Sequence, residues 1–494
     1  MAIPQQTQPI AFRIKAPPEL DAAVRGTITS MFRSVDFSRG RLIEVSSQDT
    51  KAGILTTVKL EGHNPWQHFD PEINRPCYNR HDRKNRVKER VRLGVRTVLG
   101  QVFGLSLGPW GILTGVRPTK LVHRLLDRNF SREEIHNLLT DVYCVSEERQ
   151  QLLFDVVEKQ RSFFLPNVNN PVSVYVGIPF CPTRCGYCSF AAYPLQTHGH
   201  LVEDFLSALE LEIKSVGELL RSQGIRVQSV YLGGGTPTTI KGRALSNLLQ
   251  LLNQYFDAES CQEYTVEAGR PETLDVDTIA IMKEHGVQRL SINPQTMHDR
   301  TLKLIGREHT ADQVRRAFEL AHSYNFAIIN SDLILGLPGE NLEDFAESLD
   351  QVIKLNPDNI TIHSLALKRA SHFGKTAAQL ELEHELGEQM AELAQKSLEE
   401  AGMHPYYLYR QRFILSDLEN IGYAKPGAES IYNIQMMEER QTIIGLGGGA
   451  ITKLVSPDLA VVRHANPKCP ATYAHQVCQL IDAKKYQIKQ HLSV

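Results

Sequence analysis

Length, composition and charge limit what this chain can be. Its 494 residues are 42% hydrophobic and 22% charged, as in soluble globular proteins, and are enough for about three domains. The formal net charge of −2 gives no reason to expect binding to nucleic acid, and no apolar run reaches the ~20 residues that cross a bilayer. The N-terminal residues lack the basic start and apolar stretch of a secretory signal, so we expect a cytoplasmic protein with reduced thiols.

The first 165 residues are predicted to form an α+β domain. Residues 1–62 read in the order strand, helix, strand, strand, and a helix is predicted from His81 to Leu99 because valines recur on one face at spacings of three and four. The opposite face of that helix is basic and holds Arg83, Lys84, Arg86, Lys88, Arg90 and Arg92. Such a face is usually solvated, and the alternative is a docking surface for RNA or for an acidic electron donor.

After a linker rich in proline and asparagine, from Phe164 to Val172, short strands alternate with helices. The predicted strands are VSVYVGI (172–178), VQSVYLGG (227–234), EYTVEAG (263–269), QRLSIN (288–293), FAIINSDLILG (326–336) and NITIHSLAL (359–367), and the helices are Val202–Arg221, Leu245–Phe256, Val276–His285, Ala311–Tyr324 and Leu342–Lys354. This alternation predicts an α/β core of parallel strands over residues 171–369, and such cores bind ligands at the carboxyl ends of their strands. Residues 370–494, which start with a helix over Ala377–Ala401, are predicted to form a C-terminal accessory domain.

Three of the eight cysteines form the motif Cys181-Pro-Thr-Arg-Cys185-Gly-Tyr-Cys188, directly after the first strand of that core. Three thiolates on a short loop suit one face of a four-iron cluster, whose usual ligand set is four cysteines, and the open fourth position would admit a further ligand. A three-cysteine zinc site and unligated core cysteines are the alternatives. The scattered cysteines are predicted to be small buried hydrophobes, namely Cys77, Cys144, Cys261, Cys469 and Cys478.

Glycine-rich or polar segments follow the next four strands. Gly233-Gly-Gly-Thr-Pro237 ends the second strand, where glycines let a backbone approach a ligand, although a plain strand-end turn is the alternative. Glu267 closes the third strand and could accept a hydrogen bond from an amino group or a ribose hydroxyl, or could be an ordinary carboxylate at the rim. Three further residues, each with a structural role as the alternative, lie at or just after the fourth and fifth strands: Gln295, Arg307 and Asp332.

The cysteine spacing after a β-strand resembles that of the radical S-adenosylmethionine (SAM) superfamily. Within it, the segment Tyr175-Val-Gly-Ile-Pro-Phe-Cys181, the GGGTPT run and the polar residues above resemble, in order, the oxygen-independent coproporphyrinogen III oxidase family. The segments WGILTGVRPTK (110–120) and ENIGYAKPG (419–427) are similar to its longer HemZ-type branch. The resemblance implies a partial (β/α)6 radical SAM barrel between an N-terminal α+β domain, residues 1–165, and a C-terminal substrate-covering domain, residues 370–494.

The resemblance also implies two cofactors, a 4Fe-4S cluster on Cys181, Cys185 and Cys188 and S-adenosyl-L-methionine on its open iron. In that superfamily the reduced cluster cleaves SAM to methionine and a 5′-deoxyadenosyl radical, which abstracts a hydrogen atom, so no side chain is implied as a catalytic group. The implied reaction is oxidative decarboxylation of two propionates of coproporphyrinogen III to vinyl groups, which gives protoporphyrinogen IX. The implied partners are the tetrapyrrole, an electron donor and an electron acceptor.

Comparison by position with the family implies which residues contact SAM. Tyr175, Gly234 and Glu267 would contact the SAM on the cluster. A second SAM would be lined by Tyr187, Gly235, Thr236, Gln295, Arg307, Asp332 and Ala366. For the carboxylates of a porphyrinogen, the possible cationic partners are Lys368, Arg369, Arg410 and Arg412, with exposed surface charges as the alternative.

Two positions depart from the family pattern. Gly177 stands where the family usually has histidine, and Phe190 stands where the founding oxidases have a further cysteine. Related members with phenylalanine there include heme chaperones. The alternatives to an oxidase are therefore a heme-binding chaperone or trafficking protein, a radical SAM methyltransferase, and a heme-degrading enzyme on the same scaffold.

Overall fold

The computed structural model of the chain describes residues 9–32, 34–72, 80–105, 108–113, 117–188, 190–366, 384–410 and 418–492. The chain divides into two compact units, Met1–Phe154 and Asp155–Val494. None of the helices in these described ranges is both long and apolar enough to cross a membrane. Four residues that the sequence singles out lie outside the described residues: Cys77, Lys368, Arg369 and Arg412.

A four-stranded sheet and packed helices form the N-terminal part of the chain. Its elements are β1 (Ile10–Lys15), α1 (Pro18–Met31), β2 (Val35–Asp49), β3 (Gly53–Leu60), β4 (Trp66–Pro71), α2 (Arg80–Phe103), α3 (Thr119–Leu126), α4 (Arg132–Asp141) and α5 (Glu147–Arg161). Strand β1 is parallel to β2, and β2, β3 and β4 are antiparallel neighbours. The predicted order of strand, helix, strand, strand is confirmed, and β4 is a further strand that the sequence did not indicate.

Part of the basic face of α2 packs onto acidic residues, whereas Lys84 on the same face is exposed. Arg86 and Arg90 are fully buried, and both donate a hydrogen bond to Asp70 Oδ2, over 2.9 and 2.5 Å. Arg83 forms an ion pair with Asp49 at 2.6 Å. A buried guanidinium is tolerated only when it is paired, so Arg86 and Arg90 hold this helix on the sheet. For these two arginines, the prediction of a solvated face and the alternative of a docking surface are both wrong.

The second part of the chain alternates strands and helices before it ends in a long helix. Its elements are β5 (Val172–Ile178), β6 (Phe180–Cys181), β7 (Tyr193–Pro194), α6 (Leu195–His198), α7 (Val202–Ser222), β8 (Val227–Gly234), α8 (Gly242–Phe256), β9 (Glu263–Glu267), α9 (Val276–Glu284), β10 (Arg289–Ser291), α10 (Asp299–Leu304), α11 (Ala311–Ser323), β11 (Ile328–Leu335), α12 (Leu342–Lys354), β12 (Asn359–Ser364), α13 (His384–Glu400), β13 (His404–Tyr409), β14 (Asn420–Ala424), α14 (Ile431–Glu438), β15 (Ile443–Gly447), β16 (Ile451–Val455), β17 (Val461–Ala465) and α15 (Pro470–Leu492). All six predicted core strands and the five helices between them are present, with small shifts at their ends.

Over the described residues eleven of these strands form one sheet in the order β13-β14-β12-β11-β10-β9-β8-β5-β15-β16-β17, and β6 and β7 pair separately. The six strands from β5 to β12 in the middle of this order are parallel neighbours, so their carboxyl ends lie along one edge. The predicted α/β core of parallel strands is confirmed. Strands after residue 370 extend it on both sides, since β14 pairs with β12 and β15 pairs with β5. The division into domains at 1–165, 171–369 and 370–494 stays a prediction.

Local sequence determines where the core helices begin. Thr310 and Gln313 form a capping box at the start of α11, and Asn341 and Asp344 form one at the start of α12. In each box a side-chain oxygen accepts from a backbone N–H that has no partner within the helix. The predicted bounds of α12, Leu342–Lys354, match the structure, and the capping box explains where this helix starts.

A buried ion pair joins the C-terminal helix α15 to α7. Glu212 and Lys484 are both fully buried, and their side chains form this pair. Glu212 also accepts hydrogen bonds from the Tyr473 hydroxyl at 2.7 Å and from the Gly447 backbone N–H at 2.8 Å. Because a buried charge tolerates only a well-bonded geometry, the pair fixes the glycine-rich turn that follows β15.

The scattered cysteines differ in environment. Cys261 is buried, Cys144 and Cys469 are half-buried, and Cys478 is exposed. The prediction of buried hydrophobes is confirmed for Cys261, holds only in part for the two half-buried residues and is wrong for Cys478. Cys478 is exposed because of its place on α15. The buried face of this helix holds Val477 and Ile481, and position 478 lies outside that face.

Candidate active site

The cysteine loop starts at the carboxyl end of β5 and is fixed by backbone hydrogen bonds. Gly186 N–H donates to the carbonyl of Ile305 at 2.9 Å, and Cys188 N–H donates to the carbonyl of Cys185 at 3.2 Å. The three thiols lie close enough to act on one another electrostatically. Burial raises the pKa of Cys181 to about 11 and also raises the pKa of Cys188. Both are therefore protonated thiols at neutral pH, and a metal that binds them displaces these protons.

Two side chains from outside the loop donate to its sulfur atoms. Arg270, which is 3% exposed, places Nη1 3.0 Å from Cys185 Sγ. The buried Thr236 hydroxyl donates to Cys181 Sγ over 3.5 Å. Gly235 leaves space beside that sulfur, because a Cβ at this position would lie 3.0 Å from Cys181 Sγ and closer still to backbone oxygen. Hydrogen bonds to sulfur are among the features that tune iron–sulfur clusters.

Glu267 stands at the carboxyl end of β9, and both of its oxygens are hydrogen-bonded. The Tyr231 hydroxyl donates to Oε1 at 2.5 Å, and the Gly234 backbone N–H donates to Oε2 at 3.2 Å. Burial raises the pKa of Glu267 to about 7 in spite of the hydrogen bond from Tyr231, and the nearby Asp332 carboxylate acts in the same direction as burial. A cation placed beside this carboxyl group would favour its ionised form.

Three tyrosine rings stack beside Glu267. The Tyr231 and Tyr432 centroids are 4.3 Å apart with an interplanar angle of 21°, and those of Tyr175 and Tyr432 are 5.8 Å apart at 14°. A Cβ on Gly234 would lie 3.3 Å from the Tyr175 hydroxyl, so these two residues are also adjacent. The structure thus brings together the three residues that were predicted to contact the SAM on the cluster: Tyr175, Gly234 and Glu267.

Arg307 and Tyr187 form a second group next to the cysteine loop. Arg307 Nε donates to the Tyr187 hydroxyl at 3.2 Å, and Nη1 donates to the carbonyls of Gly269, at 3.0 Å, and Asn293. Arg307 is 7% exposed, and the Cys185 thiol is near enough to act on its charge. These contacts fix the guanidinium before any ligand binds.

Gln295 and Asp332 are neighbours through their backbones. Gln295 has a left-handed φ of 71°, and its N–H donates to the Asp332 carbonyl at 2.9 Å. Its side-chain Oε1 is buried and has no hydrogen-bond partner among the residues that the structure describes. The Asp332 carboxylate accepts from Asn330 at 3.0 Å and lies 3.6 Å from His363 Nε2. A left-handed backbone and a buried side-chain oxygen without a hydrogen-bond partner are both rare in folded proteins. A bound ligand that contacts Gln295 would explain both features.

Three further residues predicted for a second SAM, Gly235, Thr236 and Ala366, belong to the segments after β8 and β12. The backbone N–H groups of Gly235 and Thr236 donate to the carbonyls of Ile178 and Phe180, each at 2.7 Å, so both residues face the cysteine loop. Ala366 follows β12 and is half-buried. The assignment of these residues to a second SAM site stays a prediction.

The chain matches known proteins in sequence. Residues 175–352 match the Radical SAM superfamily. The chain is also 42% identical over 386 residues to the oxygen-independent coproporphyrinogen-III oxidase-like protein HemZ of Bacillus subtilis, across 77% of each chain. The chain belongs to the radical SAM superfamily, in the HemZ-type branch of the oxygen-independent coproporphyrinogen III oxidase family. The family resemblance predicted from the sequence is confirmed.

Other relatives include heme chaperones. The chain is 31% identical to the heme chaperone HemW of Bacillus subtilis over 56% of this chain and 70% of HemW, and 30% identical to HemW of Escherichia coli over 61% and 75%. Among solved structures, the fold is similar to coproporphyrinogen III oxidase (HemN) from Escherichia coli, a radical SAM enzyme, with a TM-score of 0.52 and 25% identity over 65% of this chain and 72% of HemN. The predicted radical SAM fold is confirmed.

Radical SAM proteins use a 4Fe-4S cluster and SAM, and these are the cofactors of this family member. The loop residues fit the cluster, because two of the three cysteine sulfurs accept hydrogen bonds and Gly235 leaves space beside the loop. In the described part of the chain, no three Cys, His, Asp or Glu side chains are set around one point as a single metal ion requires. Glu267 fits an amino group, since a cation can restore its ionised form.

Three residues of the site were missed in the sequence. Tyr231 and Tyr432 complete the tyrosine stack, and Arg270 contacts a cysteine of the loop. Arg270 could have been found, because it comes three residues after Glu267 at the same strand end. No local sequence signal indicated that Tyr432 belongs to the site, because it comes from the C-terminal helix α14 and reaches the site through long-range packing.

Proposed function

We propose that the protein catalyses the oxygen-independent oxidative decarboxylation of two propionates of coproporphyrinogen III to vinyl groups, giving protoporphyrinogen IX. One observation carries the proposal: Tyr175 of β5 meets Gly234 and Glu267, the last residues of β8 and β9, beside the three-cysteine loop. Support comes from the 42% identity to a coproporphyrinogen-III oxidase-like protein and from the similarity in fold to a coproporphyrinogen III oxidase.

Each propionate must lose a hydrogen atom, carbon dioxide and one further electron. The hydrogen on its β-carbon is not acidic enough for any side chain of the site to remove as a proton. When bound, the cluster and SAM supply a carbon radical that can abstract it. In this chain, Cys181, Cys185 and Cys188 would hold the cluster and Glu267 would bind the SAM amino group. The second electron passes to a separate one-electron acceptor.

The walls of the site suit radical chemistry. The stacked rings of Tyr175, Tyr231 and Tyr432 lie beside Glu267, which is half-buried, and limit its contact with water. Of the four cations predicted for the substrate carboxylates, Arg410 is described, and it is buried with 6% of its surface exposed. This burial rules out an exposed surface charge for Arg410, and its contact with a substrate carboxylate stays a prediction.

A heme chaperone is the second candidate function. It is favoured by the 30–31% identity to HemW proteins and by Phe190, which is 67% exposed just after the third cysteine of the motif. The founding oxidases have a cysteine at that position.

Product analysis separates the two functions. The reconstituted protein is incubated without oxygen with coproporphyrinogen III, SAM and a reductant, and Cys185→Ala serves as the control. We expect carbon dioxide, a vinyl-bearing porphyrinogen, methionine and 5′-deoxyadenosine from the wild type only, with SAM consumed in proportion to the propionates oxidised. An unaltered tetrapyrrole, together with tight heme binding and transfer to an acceptor protein, would favour the chaperone. A tetrapyrrole that gains a methyl group would indicate a methyltransferase.

A further inference from the structure

Arg270 contacts a cysteine of the metal-binding motif, although no motif gives it a role. It lies in the loop after β9 and is 3% exposed, and its Nη1 donates to Cys185 Sγ at 3.0 Å. The Sγ atom here stands for the iron-bound thiolate of the loaded protein. With the cluster bound, the same contact would be a charge-assisted hydrogen bond from a guanidinium to a cluster ligand.

Two further contacts hold the guanidinium in this position. Its Nε donates to Glu272 Oε1 at 3.0 Å, and its Nη2 donates to the Thr183 hydroxyl within the cysteine loop. Glu272 is in turn 3.3 Å from His309 Nδ1. Burial alone would raise the pKa of Glu272, but the nearby His309 ring and the charge of Arg270 lower it to about 2. Glu272 is therefore a permanent anion that fixes the direction of the Arg270 fork.

We propose that Arg270 is a positioning residue that sets the reduction potential of the 4Fe-4S cluster. One-electron reduction adds negative charge to the cluster, so a fixed cation at a ligand sulfur stabilises the reduced state more than the oxidised one. Burial strengthens this effect, because less solvent screens the charge. Glu272 offsets it only in part, since its carboxylate is bonded to Nε whereas the sulfur is bonded to Nη1. The proposal concerns the cluster alone and does not depend on the tetrapyrrole reaction.

An anaerobic redox titration, followed by the EPR signal of the reduced cluster, tests this proposal. At a fixed solution potential, Arg270→Met should lower the ratio of reduced to oxidised cluster about tenfold, which is a shift of about 59 mV for one electron. Arg270→Lys keeps the charge but not the rigid fork, so its potential should shift in the same direction by less. Arg289→Met is the control, because Arg289 is a buried arginine of the neighbouring strand β10 and donates to the Ala428 carbonyl.

Equal potentials for the wild type and both Arg270 variants would overturn the proposal. An equal shift in Arg289→Met would overturn it too, because the cause would then be a general loosening of the sheet. If Arg270→Met binds too little iron to titrate, the Arg270→Lys result decides alone. The titration contains no tetrapyrrole, so a failed decarboxylation assay leaves its outcome unchanged.

Discussion

Because burial raises the pKa of Glu267 to about 7, SAM binding should depend on pH in the neutral range. Only the ionised carboxyl group attracts the SAM amino group strongly. With a pKa of about 7, roughly one tenth of the sites are ionised at about pH 6 and roughly nine tenths at about pH 8. We therefore expect SAM to bind about tenfold more weakly at the lower pH, a loss of about 1.4 kcal/mol.

Two variants isolate the contribution of this carboxyl group. Glu267→Gln keeps the size of the side chain but cannot ionise, so it should bind SAM more weakly by about 1.5–3 kcal/mol above neutral pH. It should also lose the part of the pH dependence that Glu267 causes. Tyr231→Phe removes the hydroxyl that donates to Glu267 Oε1, and this hydrogen bond lowers the pKa of Glu267. Its binding midpoint should therefore move to higher pH than that of the wild type.

Calorimetry of SAM binding to anaerobically reconstituted protein, between about pH 6 and about pH 8, measures these effects. The SAM amino group also titrates, and subtraction of the Glu267→Gln curve removes its contribution. Iron content is measured in parallel, so that a lost cluster is not mistaken for lost SAM affinity. A wild-type curve with the same pH dependence as Glu267→Gln would refute the role of this residue, and so would equal affinity above neutral pH.

Three further substitutions test the cluster and the packing around it. Cys185→Ala should abolish the cluster absorbance near ~400 nm, whereas Cys261→Ala, a change outside the loop, should keep it. An unchanged iron content in Cys185→Ala would contradict the assignment of this residue as a cluster ligand. Lys484→Met leaves the buried Glu212 carboxylate without its cation and should lower the free energy of unfolding by about 3–5 kcal/mol. Denaturant titration measures this change, and an unchanged midpoint would show that the ion pair does not stabilise the fold. Gly177→Ala places a Cβ 2.6 Å from the Gly448 carbonyl oxygen and should lower the free energy of unfolding by about 1–3 kcal/mol. Gly199→Ala is the control, because a Cβ there meets no atom within 4 Å. Equal thermal midpoints of the two variants would count against this steric constraint.

The core of the fold was predictable because each element carries its own local signal. The six parallel strands are apolar runs that end at glycine or polar residues, and helices such as Leu342–Lys354 begin at a capping box. The same strand-end rule located Glu267 and Gln295 before their geometry was known, whereas Asp332 lies within β11. Signals of this kind depend only on residues that are close in sequence.

Features that depend on distant partners were not predictable. Arg86 and Arg90 looked like an exposed basic face, because the partner that buries them, Asp70, belongs to a strand that has no clear sequence pattern. The stacking of Tyr432 on Tyr231 likewise depends on how a C-terminal helix packs. Periodicity reports which face of an element is apolar and does not report what charged or aromatic partner meets it.

The glycine at position 177 shows how structure explains a departure from the family pattern. The sequence showed only that the usual histidine is missing. In the structure, β15 pairs with β5, and a Cβ on Gly177 would lie 2.6 Å from the Gly448 carbonyl oxygen. The close approach of these two backbones therefore requires glycine here.

The transfer of hydrogen from substrate to cofactor tests the central claim most directly. Coproporphyrinogen III carrying deuterium on the β-carbons of its propionates is incubated with the reconstituted protein, SAM and a reductant in the absence of oxygen. Mass spectrometry then measures deuterium in the 5′-deoxyadenosine that forms, while carbon dioxide is collected. The account predicts deuterated 5′-deoxyadenosine together with loss of carbon dioxide and formation of vinyl groups. Unlabelled 5′-deoxyadenosine beside an unchanged tetrapyrrole would contradict it.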